Sequence, residues 1–173
     1  MVSLLARMQL WPRNRPVASL VVAIVAVELV GASGAIFTAQ GLDPWYASLH
    51  KPALAPPNWV FGPVWTALFA LMGTAVWLVW RRLGSSSTEH RRATRAIGVF
   101  VVHFAFNLLW SAAFFGGRSL LLGLVVIIVL WLLIVVTILA FDRVDRRAAL
   151  LLLPYLGWVS FAAFLNYRLW VLN

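Results

Sequence analysis

Trp65 and Phe69 stand four residues apart. His103, Asn107, Trp110 and Phe114 follow at intervals of four, three and four, and Trp158 is followed by Phe161, Ala162 and Leu165 three, four and seven residues on. Residues three and four apart share one face of a helix, so each set is a stripe. Were the three stripes to converge, they would enclose a cleft with aromatic walls and few polar groups. Such a cleft holds a flat, apolar ligand by burial and ring stacking. Ala162 leaves room where a larger side chain would fill the space. Aromatic stripes also serve helix packing or face lipid, and spacing alone leaves both uses open.

Reactive groups are sparse. His50, His90 and His103 are scattered without metal-ligand spacing. There are no paired carboxylates, no nucleophile motif, no phosphate-cradling glycine loop and no cysteine. The expectation is no catalytic residue, no metal and no required cofactor. Asn107 either bonds across to another helix or edges the cleft. Glu28 and His103 are two more polar groups within apolar runs, where such groups are costly and often functional. They could meet across the bundle and make ligand binding pH-sensitive, or Glu28 could simply bond to a neighbouring helix.

The elements that must position these stripes are membrane helices. With 63% hydrophobic and 11% charged residues, a 173-residue chain is too apolar for a soluble domain. Five apolar runs, near 17–38, 59–80, 96–115, 119–141 and 148–170, each approach the roughly 20 residues that cross a bilayer. Backbone groups in lipid must be paired within the helix, so the fold class is all-α: one five-helix membrane bundle over residues 1–173. Pro154 either kinks the fifth span or marks a later helix start.

The net charge of +9 belongs to the flanks, which makes nucleic acid a poor partner and membrane lipid a good one. Eleven of the 14 basic residues (Arg7, Arg13, Arg15, Arg81, Arg82, Arg91, Arg92, Arg95, Arg143, Arg146 and Arg147) fall on the side of the N-terminus. That bias predicts a cytoplasmic N-terminus, an outer C-terminus and an outward first loop. The Ala32-Ser33-Gly34 triplet also fits a signal-peptide cleavage site, although its apolar stretch is long for one. The loop, near 39–58, runs into WYASLHKPALAPPNWVFGPVW, whose prolines and aromatics suit a structured lid. Trp45, Tyr46 and the Pro56-Pro57 pair are its candidate covering residues. Gly31 and Ala35 form a small-xxx-small pair suited to close helix packing.

WYASLHKP, PPNWVFGPVW with Met72-Gly73 after it, FNLLWSAAFFG and PYLGWVSFAAFLNY, in that order, resemble the TspO/MBR family of tryptophan-rich sensory and translocator proteins. The resemblance runs from about Gly31 to Trp170. It implies a five-helix fold in a bacterial cell membrane, a first loop capping a pocket, and a homodimer. It implies porphyrin-like ligands (protoporphyrin IX, haem) and, in animal members, sterols. The animal-type sterol motif fails here, since Arg168 directly follows Tyr167. The family's pocket tryptophans map onto Trp65 and Trp158. The ligand-binding set is then Trp45, Trp65, Phe69, His103, Asn107, Trp110, Trp158, Phe161, Ala162 and Leu165. Sensing, tetrapyrrole or lipid transport, and light-dependent porphyrin breakdown are the three implied roles; in the last, Trp65 and Trp158 would serve beside the bound porphyrin. His103 departs from the family, where glutamine is usual.

Overall fold

A computed structural model describes residues 11–84 and 86–173; Arg7 lies outside them. Among the described residues, five helices are long and apolar enough to cross a membrane, covering Pro16–Tyr46, Asn58–Trp80, Ser87–Gly116, Leu120–Asp142 and Arg146–Leu172. The described residues contain no strand. The first span is built from α1 (Pro16–Ser33), α2 (Ala35–Gly41) and a π-helical turn, Leu42–Tyr46. The second is a short 3-10 turn, Asn58–Val60, leading into α3 (Phe61–Trp80). The third is α4 (Ser87–Ser111) with its own π-helical turn, Ala112–Gly116. The fourth is α5 (Leu120–Asp142), and the fifth is α6 (Arg146–Leu151) and α7 (Leu153–Leu172).

Local chemistry sets the ends. Ser86 accepts a hydrogen bond from the Glu89 amide, Ser119 from Leu122 and Asp145 from Arg147, so α4, α5 and α6 each begin on a side-chain cap. Pro16 and Pro154 sit in the first turns of α1 and α7, where a missing N–H costs nothing. Pro154 thus starts a helix after the break at Leu152, the second of the two expectations for it.

The first span differs most from the reading of its apolar run. Helix continues through Gly34 and the turn Leu42–Tyr46 to Ser48, so the connecting segment shrinks from 39–58 to residues 49–57. Asp43, with φ −122° and ψ 137°, interrupts the helical backbone there.

The spans pack as a closed ring in the order first, second, fifth, fourth, third and back to the first. Glycine permits the two closest approaches. A Cβ on Gly73 would stand 2.6 Å from the Ile24 Cα, so α3 and α1 meet backbone to backbone. A Cβ on Gly41 would stand 2.8 Å from the Phe115 Cα, so the first and third spans do the same near the loop end. Trp77 Nε1 donates to Ser19 Oγ at 3.0 Å and ties α3 to α1 at the other end. Fully buried Met72, Ile127, Leu130, Ile134, Phe141 and Tyr155 fill the centre. The outer faces, such as Leu121, Val125, Ile128 and Leu132 of α5, carry the exposed apolar side chains a bilayer would cover.

Candidate functional site: an aromatic cavity under the first loop

Between the first, second and third spans, at the end nearest the loop, lies a cavity of about 260 Å³. Trp65 and Phe69 of α3 form one wall, with ring centroids 5.3 Å apart. Asn107 and Trp110 of α4, with Phe115 beyond them, form a second. The third wall is the first span, where Gly31, Gly34 and Ala35 present almost bare backbone. The Phe69 ring lies directly against Gly31, so that glycine's missing side chain is what lets the ring fold back. Tyr46 closes the loop end and is itself nearly buried, edge-on to Phe114 at 6.2 Å and near Phe115 at 5.8 Å.

Buried amides hold the walls in register. Asn107 Nδ2 donates to the Tyr155 hydroxyl at 2.9 Å, tying α4 to α7. Trp110 Nε1 donates to Asn166 Oδ1 at 3.4 Å, and Asn166 Nδ2 donates to the Leu120 carbonyl at 2.8 Å. One chain of bonds therefore links the third, fourth and fifth spans behind the cavity. Asn107 fills both of the roles considered for it, since it also lines the space.

The remaining candidates from sequence lie elsewhere. Trp45 packs edge-on to Phe114 at 5.5 Å and supports the turn from behind, off the cavity wall. Trp158 meets Phe61 edge-on at 6.0 Å; Phe61 touches the cavity and Trp158 stands one layer back, with Phe161 beside it at 5.7 Å. Ala162 packs on the core, and Leu165 is buried. None of these fifth-span residues lines the cavity, because the ring order sets the first span there instead. Phe114 is buried between Trp45 and Trp110.

His103 is fully buried and off the cavity wall. It shares a stripe with Asn107, but four residues along a helix is a rise of about 6 Å, and Tyr155 lies beside it, ring centroids 5.7 Å apart. His103 Nδ1 sits 3.2 Å from Thr137 Oγ1, whose hydroxyl donates to the Leu133 carbonyl at 2.8 Å. The hydroxyl proton being spent, Nδ1 is the donor of the pair. Nε2 has no hydrogen-bond partner among the described residues. Glu28 does line the cavity, on α1, so the two groups do not meet.

The first-span wall was missed from sequence. Its signal was the Gly31 and Ala35 pair, which was read as a helix-packing motif. The close approach occurs, but it is made by Phe69 and it shapes a cavity.

The loop is fastened at two points. Asn173 Oδ1 accepts from the His50 amide at 2.9 Å, and Asn173 Nδ2 donates to the His50 carbonyl at 3.2 Å. Lys51 Nζ stands 4.7 Å from the Tyr46 ring centroid, a cation on an aromatic face.

Five apolar helices in a closed ring, with an aromatic cavity at the end where a pinned loop joins the first two spans, define a multi-pass integral membrane protein built around a small-molecule-sized space. The model of the TspO/MBR family matches residues 21–171. The tryptophan-rich protein TspO of Chlorobaculum tepidum is 44% identical over 160 residues, 92% of this chain and 99% of the relative. That of Archaeoglobus fulgidus is 41% identical, over 89% and 96%. The translocator protein of Bos taurus is 38% identical, over 83% of each chain. The chain belongs to the TspO/MBR family.

Proposed function

We propose that this protein binds porphyrin-like tetrapyrroles in the cavity under the first loop, as a receptor or sensor. The observation that carries the reading is the wall chemistry: Trp65, Phe69, Trp110 and Phe115 around a space whose polar contacts are Glu28, Thr38, Asn58, Thr66, Asn107 and Ser111. Flat aromatic faces favour offset stacking on a macrocycle. At about 260 Å³, the cavity is small beside the roughly 300–1,000 Å³ of typical ligand sites. Part of a macrocycle would therefore stand outside it. Glu28 is the one carboxylate or cation on the wall among the described residues, which disfavours placing acidic substituents within. Lys51, held over Tyr46 beneath the loop, offers those substituents a counter-charge at the rim. Haem fits the same chemistry, and no resident cofactor is needed.

The test is a titration of the purified protein with protoporphyrin IX, in darkness and under illumination. The receptor reading predicts saturable quenching of tryptophan fluorescence and an intact porphyrin spectrum in light. A new absorbing product would instead assign Trp65 a photochemical role. Porphyrin flux in loaded proteoliposomes would assign transport. Absence of saturable quenching overturns the proposal.

A further inference from the structure

The opposite, arginine-rich end of the bundle holds a second cavity, of about 280 Å³, lined by Arg13, Leu78, Arg81, Arg82, Asp145 and Arg147. Four guanidinium groups and one carboxylate line it. Asp145 is already committed on both oxygens. Oδ2 accepts from Arg82 Nη2 at 3.0 Å, and Oδ1 accepts from the Arg147 amide at 3.0 Å as the cap of α6. Arg81 and Arg147 carry the positive charge that this pairing leaves. Arg13 Nε donates to the Arg81 carbonyl at 2.9 Å, which ties the residues just before α1 to the end of α3. The Arg81 guanidinium lies over the Trp77 ring at 4.7 Å. Neither Arg81 nor Arg147 forms an ion pair among the described residues.

We propose that this cavity binds the phosphate of an acidic phospholipid headgroup. Guanidinium forks match pairs of phosphate oxygens in a way that a point charge does not. The site lies where three spans end, beside Trp11 and Trp80, whose rings are 5.6 Å apart. Tryptophan at span ends marks the headgroup level of a membrane. Leu78 supplies an apolar contact in the cavity, and exposed Val17 and Leu150 lie on helices that begin at the same end of the bundle. A lipid can lay its chains there, whereas a free phosphate ion would gain only the charge. Basic pockets between helix ends are a recurrent form of headgroup recognition. The site shares no lining residue with the aromatic cavity, so it stands independently of the porphyrin reading.

The test uses the full chain in detergent at constant ionic strength. It is titrated with dioctanoyl phosphatidylglycerol, dioctanoyl phosphatidylcholine or inorganic phosphate. Retained lipid is counted by native mass spectrometry and stability is followed by thermal melting. The acidic lipid should be retained and raise the Tm, while phosphatidylcholine does neither. Arg81→Gln and Arg147→Gln should each weaken retention about fivefold, and together about twenty-five-fold, from the usual worth of one basic residue at an anionic surface. Arg92→Gln, outside the cavity, should leave it unchanged. Circular dichroism of each variant confirms folding, and Arg147→Lys, which keeps the charge without the fork, should retain an intermediate affinity. Equal retention of both lipids, or wild-type retention by the double glutamine variant, overturns the proposal. So does inorganic phosphate that matches the acidic lipid in Tm shift and displaces it, since the site would then serve a soluble anion.

Discussion

The bond between Asn107 and Tyr155 backs the α4 wall of the aromatic cavity, and its strength can be worked from its setting. Asn107 is 3% exposed and Tyr155 0%, with the donor and acceptor 2.9 Å apart. Tyr155→Phe removes the acceptor and strands the Asn107 amide. A stranded buried donor costs about 1–3 kcal/mol. Asn107 also touches the cavity, where solvent can reach it, which holds the cost to the lower part of that range. Interhelical bonds in membrane proteins average roughly 0.6 kcal/mol and reach about 1.7. We therefore expect a coupling of about 1 kcal/mol in a double-mutant cycle of Tyr155→Phe and Asn107→Leu. Equilibrium unfolding of the four proteins in mixed micelles measures it. The double variant should be less destabilised than the sum of the singles, because it leaves neither polar partner behind. A coupling indistinguishable from zero would refute the reasoning and detach α7 from the support of the site.

Two further outcomes follow from groups outside the cavity wall. His103→Leu should be neutral or stabilising by up to about 1 kcal/mol, because it removes the partnerless Nε2 while Thr137 keeps its bond to Leu133. Porphyrin affinity and its pH profile should match wild type, and a changed profile would show that His103 communicates with the ligand. Asn173→Ala should loosen the loop by removing both bonds to His50. Ligand release in stopped flow should quicken about two- to fivefold, the equivalent of about 0.5–1 kcal/mol, and cleavage within residues 50–57 by added protease should rise.

Much of the fold could be read from sequence because lipid imposes one rule on every span. Each apolar run had to become a helix, and five did. Helix ends were harder, since they depend on caps and not on hydropathy. Ser86 and Glu89, three apart, carried the start of α4 at Ser87, well before the apolar run at 96–115. The site was legible as faces but not as depths or neighbours. Trp65, Phe69, Asn107 and Trp110 share the cavity because their stripes face it at one level. His103 shares the stripe of Asn107 yet lies one turn below, which periodicity cannot register. Trp158 and its stripe failed to reach the wall for a different reason: which spans adjoin is decided by packing. The backbone approaches at Gly73 and Gly41 bring the first span against the second and third. Glycines in one helix do not announce which partner they admit.

The central claim is that the ligand stacks against the wall formed by the second and third spans, and affinity for protoporphyrin IX in three variants tests it most directly. Trp65→Ala removes an indole face from the cavity and should weaken binding about tenfold, the equivalent of about 1.4 kcal/mol. Trp158→Phe, one layer back against Phe61, and Trp131→Phe, whose indole bonds Ser160 at 2.8 Å away from the cavity, should leave the affinity unchanged. An unchanged affinity in Trp65→Ala, or a loss confined to Trp158→Phe, would contradict the account and move the site towards the fifth span.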